Sequence, residues 1–335
     1  MVRRLLAAAT MSSLLLALLG CGEEGQPAGK GAEAKKGAKK LTFAVIPKAQ
    51  VFTFWPTVER GAQAAGKELG VEIIWQGATD ETKYIEQQQI VKTMISRKVD
   101  GIVLAPTSKT ALVDVVKQAV DAKIPVSIID SAIDTDVYVS FVATDNYAGG
   151  VTGARRLAEI LGKKGKVALI KVIPGSASTT AREEGFRETL KKEFPDMQLV
   201  AEEYGMSQST KSLEVTSNIL TANPDLDGIF AANEPGAIGA LNAVKNKNLV
   251  GKVKIVGFDA SPILLAGIRD GSLDSTIVQD PFSMGYQGVK AIVDHLAGKK
   301  VEKEVHTRVA LVTKDNLESK EVQDLLSAYE EQKPR

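Results

Sequence analysis

From residue 41 onward, short apolar runs alternate with longer stretches in which apolar residues recur at helical spacing. The runs read as buried strands at 41–46 (LTFAVI), 71–75 (VEIIW), 101–105 (GIVLA), 126–129 (VSII), 138–142 (YVSFV), 166–170 (KVALI), 199–204 (LVAEEY), 228–232 (GIFAA), 253–258 (VKIVGF), 275–279 (STIVQ) and 307–313 (TRVALVT). Between them lie segments such as YIEQQQIVKTMIS, with Ile85, Gln89, Val91 and Ile95 near one face, and TKSLEVTSNILTA. Strands that are apolar throughout and separated by helices imply parallel sheets covered on both faces, an α/β fold.

There are more such strands than one sheet of common size holds. An internal echo divides them. DGIVLAPTSKTAL (100–112) matches DGIFAANEPGAIGAL (227–241) in its opening Asp-Gly-Ile and in a polar turn after the strand. Further on in each half, VSIIDSA (126–132) matches VKIVGFDAS (253–261), where a strand again ends in an aspartate followed by small residues. Two similar doubly wound lobes are expected, with Asp130 and Asp259 facing a shared cleft, because ligands of open α/β sheets sit outside the carboxyl ends of the strands.

Composition narrows the function. Lys and Arg number 42 against 41 Asp and Glu, a net charge of +1, so the clustered basic excess of a nucleic-acid binder is lacking. The first twenty residues pair two arginines with an apolar run, the layout of a secretory signal peptide, too short and wrongly flanked for a membrane span. The only cysteine, Cys21, follows at once and has no partner for an internal disulfide. Leu18-Leu19-Gly20-Cys21 resembles a bacterial lipobox, which implies export, a lipid on Cys21 and a membrane-anchored lipoprotein at the periplasmic or cell-surface face. Residues 21–40, rich in Gly, Ala and Lys, then read as a flexible tether with a reach of roughly 25 Å.

Catalytic patterns are scarce. The two histidines, His295 and His306, stand apart without a second metal ligand at usable spacing, and no HExxH, GxSxG or Walker A sequence occurs. Neither metal nor cofactor is expected, and no catalytic residue is assigned. Gly149, Gly150 and Gly153 follow a strand and open a helix, but they read GGxxG without the dinucleotide spacing. Close backbone packing is the expected reason for them.

What remains is a set of polar and aromatic residues at strand ends. Asp130 and Asp259 accept hydrogen bonds, Asn233 and Gln279 donate and accept, and Arg182, early in a helix, offers a forked donor. Each has a structural alternative: a carboxylate capping a helix, an amide satisfying a loop, an arginine pairing at the surface. Aromatics make up only 5% of the chain, yet Phe52, Phe54 and Trp55 crowd into the loop and helix start after the first strand. Hydroxyls that donate and accept, on a ring with apolar faces, fit such a set: a sugar or polyol.

At these residues the chain resembles the sugar-binding proteins of bacterial ABC importers, the periplasmic type I group that includes ribose-binding proteins. The marks are the aromatic pair before ERGAQAAGKELG, then IPVSIID, FVATDNYAGG, AREEGF, NPDLDGIFAANEPGAIGAL, KIVGFDASP and STIVQDPFSMGYQGV, in order from 41 to about 314. The resemblance implies two lobes joined by three crossings, 41–144 plus 280–308 and 145–279 plus 309–325, closing around a monosaccharide or polyol held by Phe54, Trp55, Asp130, Arg182, Asn233, Asp259 and Gln279. It further implies a monomeric, non-enzymatic receptor that delivers its ligand to an ABC permease in the inner membrane, with a chemoreceptor as an optional second reader.

Departures from the ribose pattern bear on the ligand. Lys48 and Phe52 stand where ribose binders are polar, Ala105 where an amide is expected, Ser131 in place of an arginine, and Ser207 near a second-lobe aromatic position. IPK at 46–48 and YGMSQSTKSL resemble instead the branch that binds autoinducer-2, which stays the alternative ligand class. Lys48 can donate to a hydroxyl, pair with an acid, contact an acidic substituent or point to solvent. The rival of another class is an exported sugar-modifying enzyme with Asp130 and Asp259 as acid and base. A sugar-responsive repressor would need a DNA-binding headpiece where the leader and tether stand.

Overall fold

A computed structural model describes residues 40–329; the expected signal peptide, Cys21 and nearly all of the tether lie outside the described residues. In chain order the elements are β1 (Thr42–Ile46), α1 (Phe54–Leu69), β2 (Glu72–Trp75), α2 (Tyr84–Ser96), β3 (Gly101–Leu104), α3 (Val113–Asp121), β4 (Val126–Ile129) and β5 (Ser140–Ala143), then α4 (Asn146–Ile160), β6 (Gly165–Lys171), α5 (Ala177–Glu193), β7 (Met197–Tyr204), α6 (Ser209–Ala222), β8 (Gly228–Ala231), α7 (Glu234–Asn246), β9 (Lys254–Phe258), α8 (Pro262–Asp270) and β10 (Ser275–Gln279). The chain ends with α9 (Pro281–Leu296), β11 (Glu304–His306), β12 (Val309–Thr313) and α10 (Lys320–Leu326).

The strands form two six-stranded sheets, β11-β5-β4-β3-β1-β2 and β12-β10-β9-β8-β6-β7. Every pairing is parallel except β10 with β12. Setting aside the last strand of each, the two orders are the same, the doubly wound order 2-1-3-4-5 read from the opposite edge. The chain passes between sheets three times, after β5, after β10 and between β11 and β12. Strands β3, β4 and β8 are buried at every position because helices cover both faces of each sheet. Register levels the strand ends: Ile46 lies beside Leu104, and Leu104 beside Ile128. In the second sheet Ile170 lies beside Ala231 and Phe258 beside Ile277.

Glycines set how closely the helices approach. A β-carbon on Gly61 of α1 would lie 2.0 Å from the Phe282 carbonyl oxygen, and one on Gly285 of α9 would lie 2.0 Å from that of Val58. The same reciprocal contact joins α4 and α5, through Gly150 against Arg182 and Gly185 against Tyr147. Gly149 and Gly153 abut the rings of Phe258 and Phe230. The GGxxG sequence is therefore a packing device.

Two expectations need correction. The run 307–313 is not one strand: Thr307 still donates to Ala143 of the first sheet, and only at Val309 does the chain pair with β10. Arg308, bonded through Nε and Nη2 to Asp280, holds the transfer point. In α2 the buried stripe is Gln87, Ile90, Val91 and Met94, whereas Ile85 is 59% exposed. Spacing of 3, 4 and 7 from Gln87 defines that face, and Ile85 falls outside it.

Candidate functional site

The carboxyl ends of the two sheets face each other, and a cavity lies between them. Its volume is about 30 Å³, far below the about 300–1,000 Å³ of small-molecule sites: the two lobes lie close against each other here. Lys48, Phe54, Trp55, Asp130, Arg182, Asn233, Asp259 and Gln279, all eight residues singled out in the sequence, line it. His295 lies in the last turn of α9, and His306 lies on the edge strand β11 beside Glu304; neither lines it.

Asp130 and Asp259 are matched in backbone as well as in sequence. Each follows the fourth strand of its sheet, donates its N–H to the next strand (to Val142 and Ile277, at 3.0 and 2.8 Å) and adopts a positive φ, 61° and 71°. Aspartate is among the few residues that tolerate this left-handed turn. The turn directs both carboxylates to the cleft.

Each acid is then balanced differently. Lys48, 2% exposed, places Nζ 2.7 Å from Asp130 Oδ2 and donates to the hydroxyls of Ser176 and Ser178 at 3.2 and 3.0 Å. Both hydrogen bonds of the ammonium thus cross the cleft, and its contact with Asp130 is an ion pair. Arg182 donates Nε to Asn146 at 2.8 Å and Nη1 to the Ala232 carbonyl at 2.9 Å, with its guanidinium 3.8 Å above the Phe258 ring. Asp259 accepts from Gln279 at 2.6 Å and from the Glu234 N–H at 3.0 Å. Burial raises its carboxyl, and the Arg182 charge opposes the rise.

Asn233 has a structural part of a kind expected only of the carboxylates: its Oδ1 caps α7 by accepting from the Gly236 N–H. Its Nδ2 still faces the cleft and donates to Ser207 at 3.0 Å. Ser207 passes the bond on to Glu81 at 2.9 Å, and the other oxygen of Glu81 accepts from the Trp55 indole at 2.9 Å. A continuous polar chain thus runs from an aromatic of the first lobe to a helix cap of the second. The rings of Phe54 and Trp55 meet edge to face, 4.9 Å apart at 85°. Being perpendicular, only one of them can lie flat on a given ligand ring.

Glu81, Glu234 and Thr179 also line the cavity and were missed in the sequence. Glu234 reaches across to the start of α1, where Thr53 donates N–H and Oγ to its carboxylate at 3.0 Å. Burial, helped by Asp259, pushes its carboxyl up to about 7. Burial also raises Glu81, against the charge of Lys48 and the bonds from Trp55 and Ser207. Extending the strand-end rule to the loop after β2 would have found Glu81; Glu234 was hidden as an ordinary acid in a helix's first turn. Phe52, in the same loop as the aromatic pair, holds φ at 70°, a strained conformation for a bulky residue.

Residues 43–300 match the periplasmic binding protein domain family. The chain belongs to that family. Among relatives of this binding protein, the ribose import binding protein of Bacillus subtilis is 32% identical over 261 residues, 78% of this chain and 83% of the relative. The D-allose-binding periplasmic protein of Escherichia coli is 33% identical over 267 residues, 77% and 86% of the two chains. Solved structures agree. An ABC transporter solute binding protein from Agrobacterium vitis with bound D-fucose superposes with a TM-score of 0.82 at 40% identity, covering 85% of this chain and 99% of its own. A carbohydrate transporter solute binding protein from Agrobacterium radiobacter, in complex with D-arabinose, gives 0.84 at 34% identity over 86% and 99%. The two-lobed architecture is that of a type I periplasmic binding protein, and these relatives are named as binding proteins.

Proposed function

We propose that this chain is the solute-binding component of an ABC sugar importer, holding a monosaccharide or polyol between its lobes and presenting the closed form to a permease. The observation that carries this reading is the convergence of carboxylates, amides, a guanidinium and an aromatic pair from both sheets on one enclosed cavity. One aromatic face packs on the apolar side of the ring while Asp130, Arg182, Asn233, Asp259 and Gln279 serve its hydroxyls. Lys48 acts chiefly by tying the lobes together. The lobes comprise 41–144 with 280–308, and 145–279 with 309–325. In this reading the protein is exported, held at the membrane by lipid on Cys21 through the 21–40 tether, and works as a monomer.

A ligand can shift the open and closed populations only through contacts that differ between them. Closure supplies these, because Arg182, Asn233 and Asp259 belong to one lobe and Phe54, Trp55 and Asp130 to the other. A sugar of about ten heavy atoms has a ceiling near 15 kcal/mol, and micromolar affinity needs about 8, so partial use of the site suffices. Calorimetric titration over aldoses, ketoses, polyols and autoinducer-type ligands tests the proposal. Saturable binding without conversion of the sugar is expected, and Trp55→Ala and Asp259→Ala should each weaken it about tenfold or more. Unchanged titrations for both variants would show that the site is elsewhere; turnover of the sugar would overturn the receptor reading.

A further inference from the structure

The polar atoms of the cavity do not balance, and the imbalance has a sign. Carboxylates of Glu81, Asp130, Glu234 and Asp259 line it, against the cations Lys48 and Arg182. Lys48 is committed within the protein, whereas Arg182 uses two of its five N–H donors there. Lys48 donates to Ser176 and Ser178 and forms an ion pair with Asp130. Arg182 spends Nε and Nη1 on Asn146 and Ala232 and lies over Phe258. Asp130 and Glu81 both lie in the field of Lys48 and Asp259 in that of Arg182, so four carboxylates share two cations, and neither Glu81 nor Glu234 has an ion pair among the described residues.

A second observation concerns acceptors rather than charge. Gln279 is 1% exposed, gives its Nε2 to Asp259, and has no hydrogen-bond partner for Oε1 among the described residues. Glu81 and Glu234 receive bonds only from Trp55, Ser207 and the start of α1, fewer than the roughly four lone-pair sites of a carboxylate accommodate. Among the described residues, acceptors without a hydrogen bond, Gln279 Oε1 and Asp130 Oδ2, therefore remain in the cavity beside a partly used Arg182. A hydroxyl brings one donor together with acceptors of its own. An ammonium brings three donors, no acceptor and a positive charge.

Building on the sugar or polyol reading above, we propose that the preferred solute carries a protonated amine, an amino sugar or amino alditol whose ammonium answers the carboxylates of Glu81 and Glu234. The upward push of burial on both carboxyls accords with this, since each is held in the closed cavity at a cost that a bound cation would offset.

The test is calorimetric titration of the full chain at pH 7 with D-glucosamine, D-galactosamine, D-mannosamine and 1-amino-1-deoxy-D-glucitol, each beside its neutral parent and N-acetyl form. At least one amine is expected to bind about tenfold or more tightly than both neutral counterparts, and Glu234→Gln to reduce that ratio. Should Glu234→Gln fail to fold, Glu81→Gln reads the same ratio, and the panel on the unaltered chain decides by itself. Neutral parents that bind as tightly as the amines would overturn the inference and leave the sugar reading standing. A ratio untouched by the Gln variant would overturn the assignment to these carboxylates. If no amine, sugar or polyol binds, the sugar reading fails and the inference falls with it.

Discussion

The two walls of the cleft share one backbone plan and carry different chemistry. Sheet order, the left-handed turn after the fourth strand and the reciprocal glycine contact between flanking helices all recur. The side chains set on that plan do not. After β1 the chain opens α1 with Phe54 and Trp55; at the matching place after β6 it opens α5 with Ser178, Thr179 and Arg182. After β8 the turn sends Asn233 and Glu234 to the cavity. After β3 the equivalent turn is tied inward by Gln87, whose amide bonds the carbonyls of Pro47 and Ala105 and the N–H and hydroxyl of Thr107. A repeated fold supplies strand ends, and the residues after each end decide which wall stacks and which wall hydrogen-bonds.

The sharpest way to break this contrast is at the ion pairs. Lys48→Ala leaves Asp130 buried without its cation and should cost roughly 3–5 kcal/mol, the usual penalty for breaking a buried pair. Urea unfolding measures it. Removing both charges with Lys48→Met and Asp130→Asn should recover most of that loss, whereas recovery of nothing would show that the serine contacts rather than the pair carry the stability.

A somewhat smaller effect follows from pH. Glu183, inside the second lobe, and Glu234, in the cleft, are both pushed up to about 7, in each case chiefly by burial. A folded-state value above the unfolded one means that the folded protein holds the proton longer. The contribution is therefore complete below pH 4.5 and is lost as pH rises to about 7, by at most about 3 kcal/mol for each group. Glu183→Gln and Glu234→Gln should each flatten the corresponding part of the stability profile. Only the Glu234 part should respond to bound ligand, because Glu183 caps the Val172 N–H away from the cavity.

The smallest change is Trp55→Phe, which keeps an aromatic face but removes the donor to Glu81. A buried carboxylate then loses one bond, and ligand affinity should fall about tenfold while stability moves by about 1 kcal/mol. An affinity unchanged from the parent would mean that the polar chain through Glu81 and Ser207 does not orient the ring.

Much of this was legible in the sequence for physical reasons. Strands buried on both faces must be apolar throughout, so most of them stood out; Asp130 and Asp259 were visible because a strand ending in an acid recurs after the same kind of strand. The partners of those acids were not legible. That Lys48 spends its ammonium on Ser176 and Ser178, or that Glu81 meets Ser207, depends on how two lobes approach, and no periodicity within either lobe encodes that distance. The break between β11 and β12 was hidden because TRVALVT is uniformly strand-like, and what divides it is the bond from Arg308 to a residue far back in the chain.

Trp55 is one of only two tryptophans in the chain, and its indole is bonded to a carboxylate that is itself held by the opposite lobe. Were the lobes to separate, water would replace Ser207 at that carboxylate and alter the field felt by the indole, while Trp75, at the end of β2, would keep its place in the sheet. The protein thus carries a built-in optical gauge of its own aperture, readable from emission colour without any attached dye.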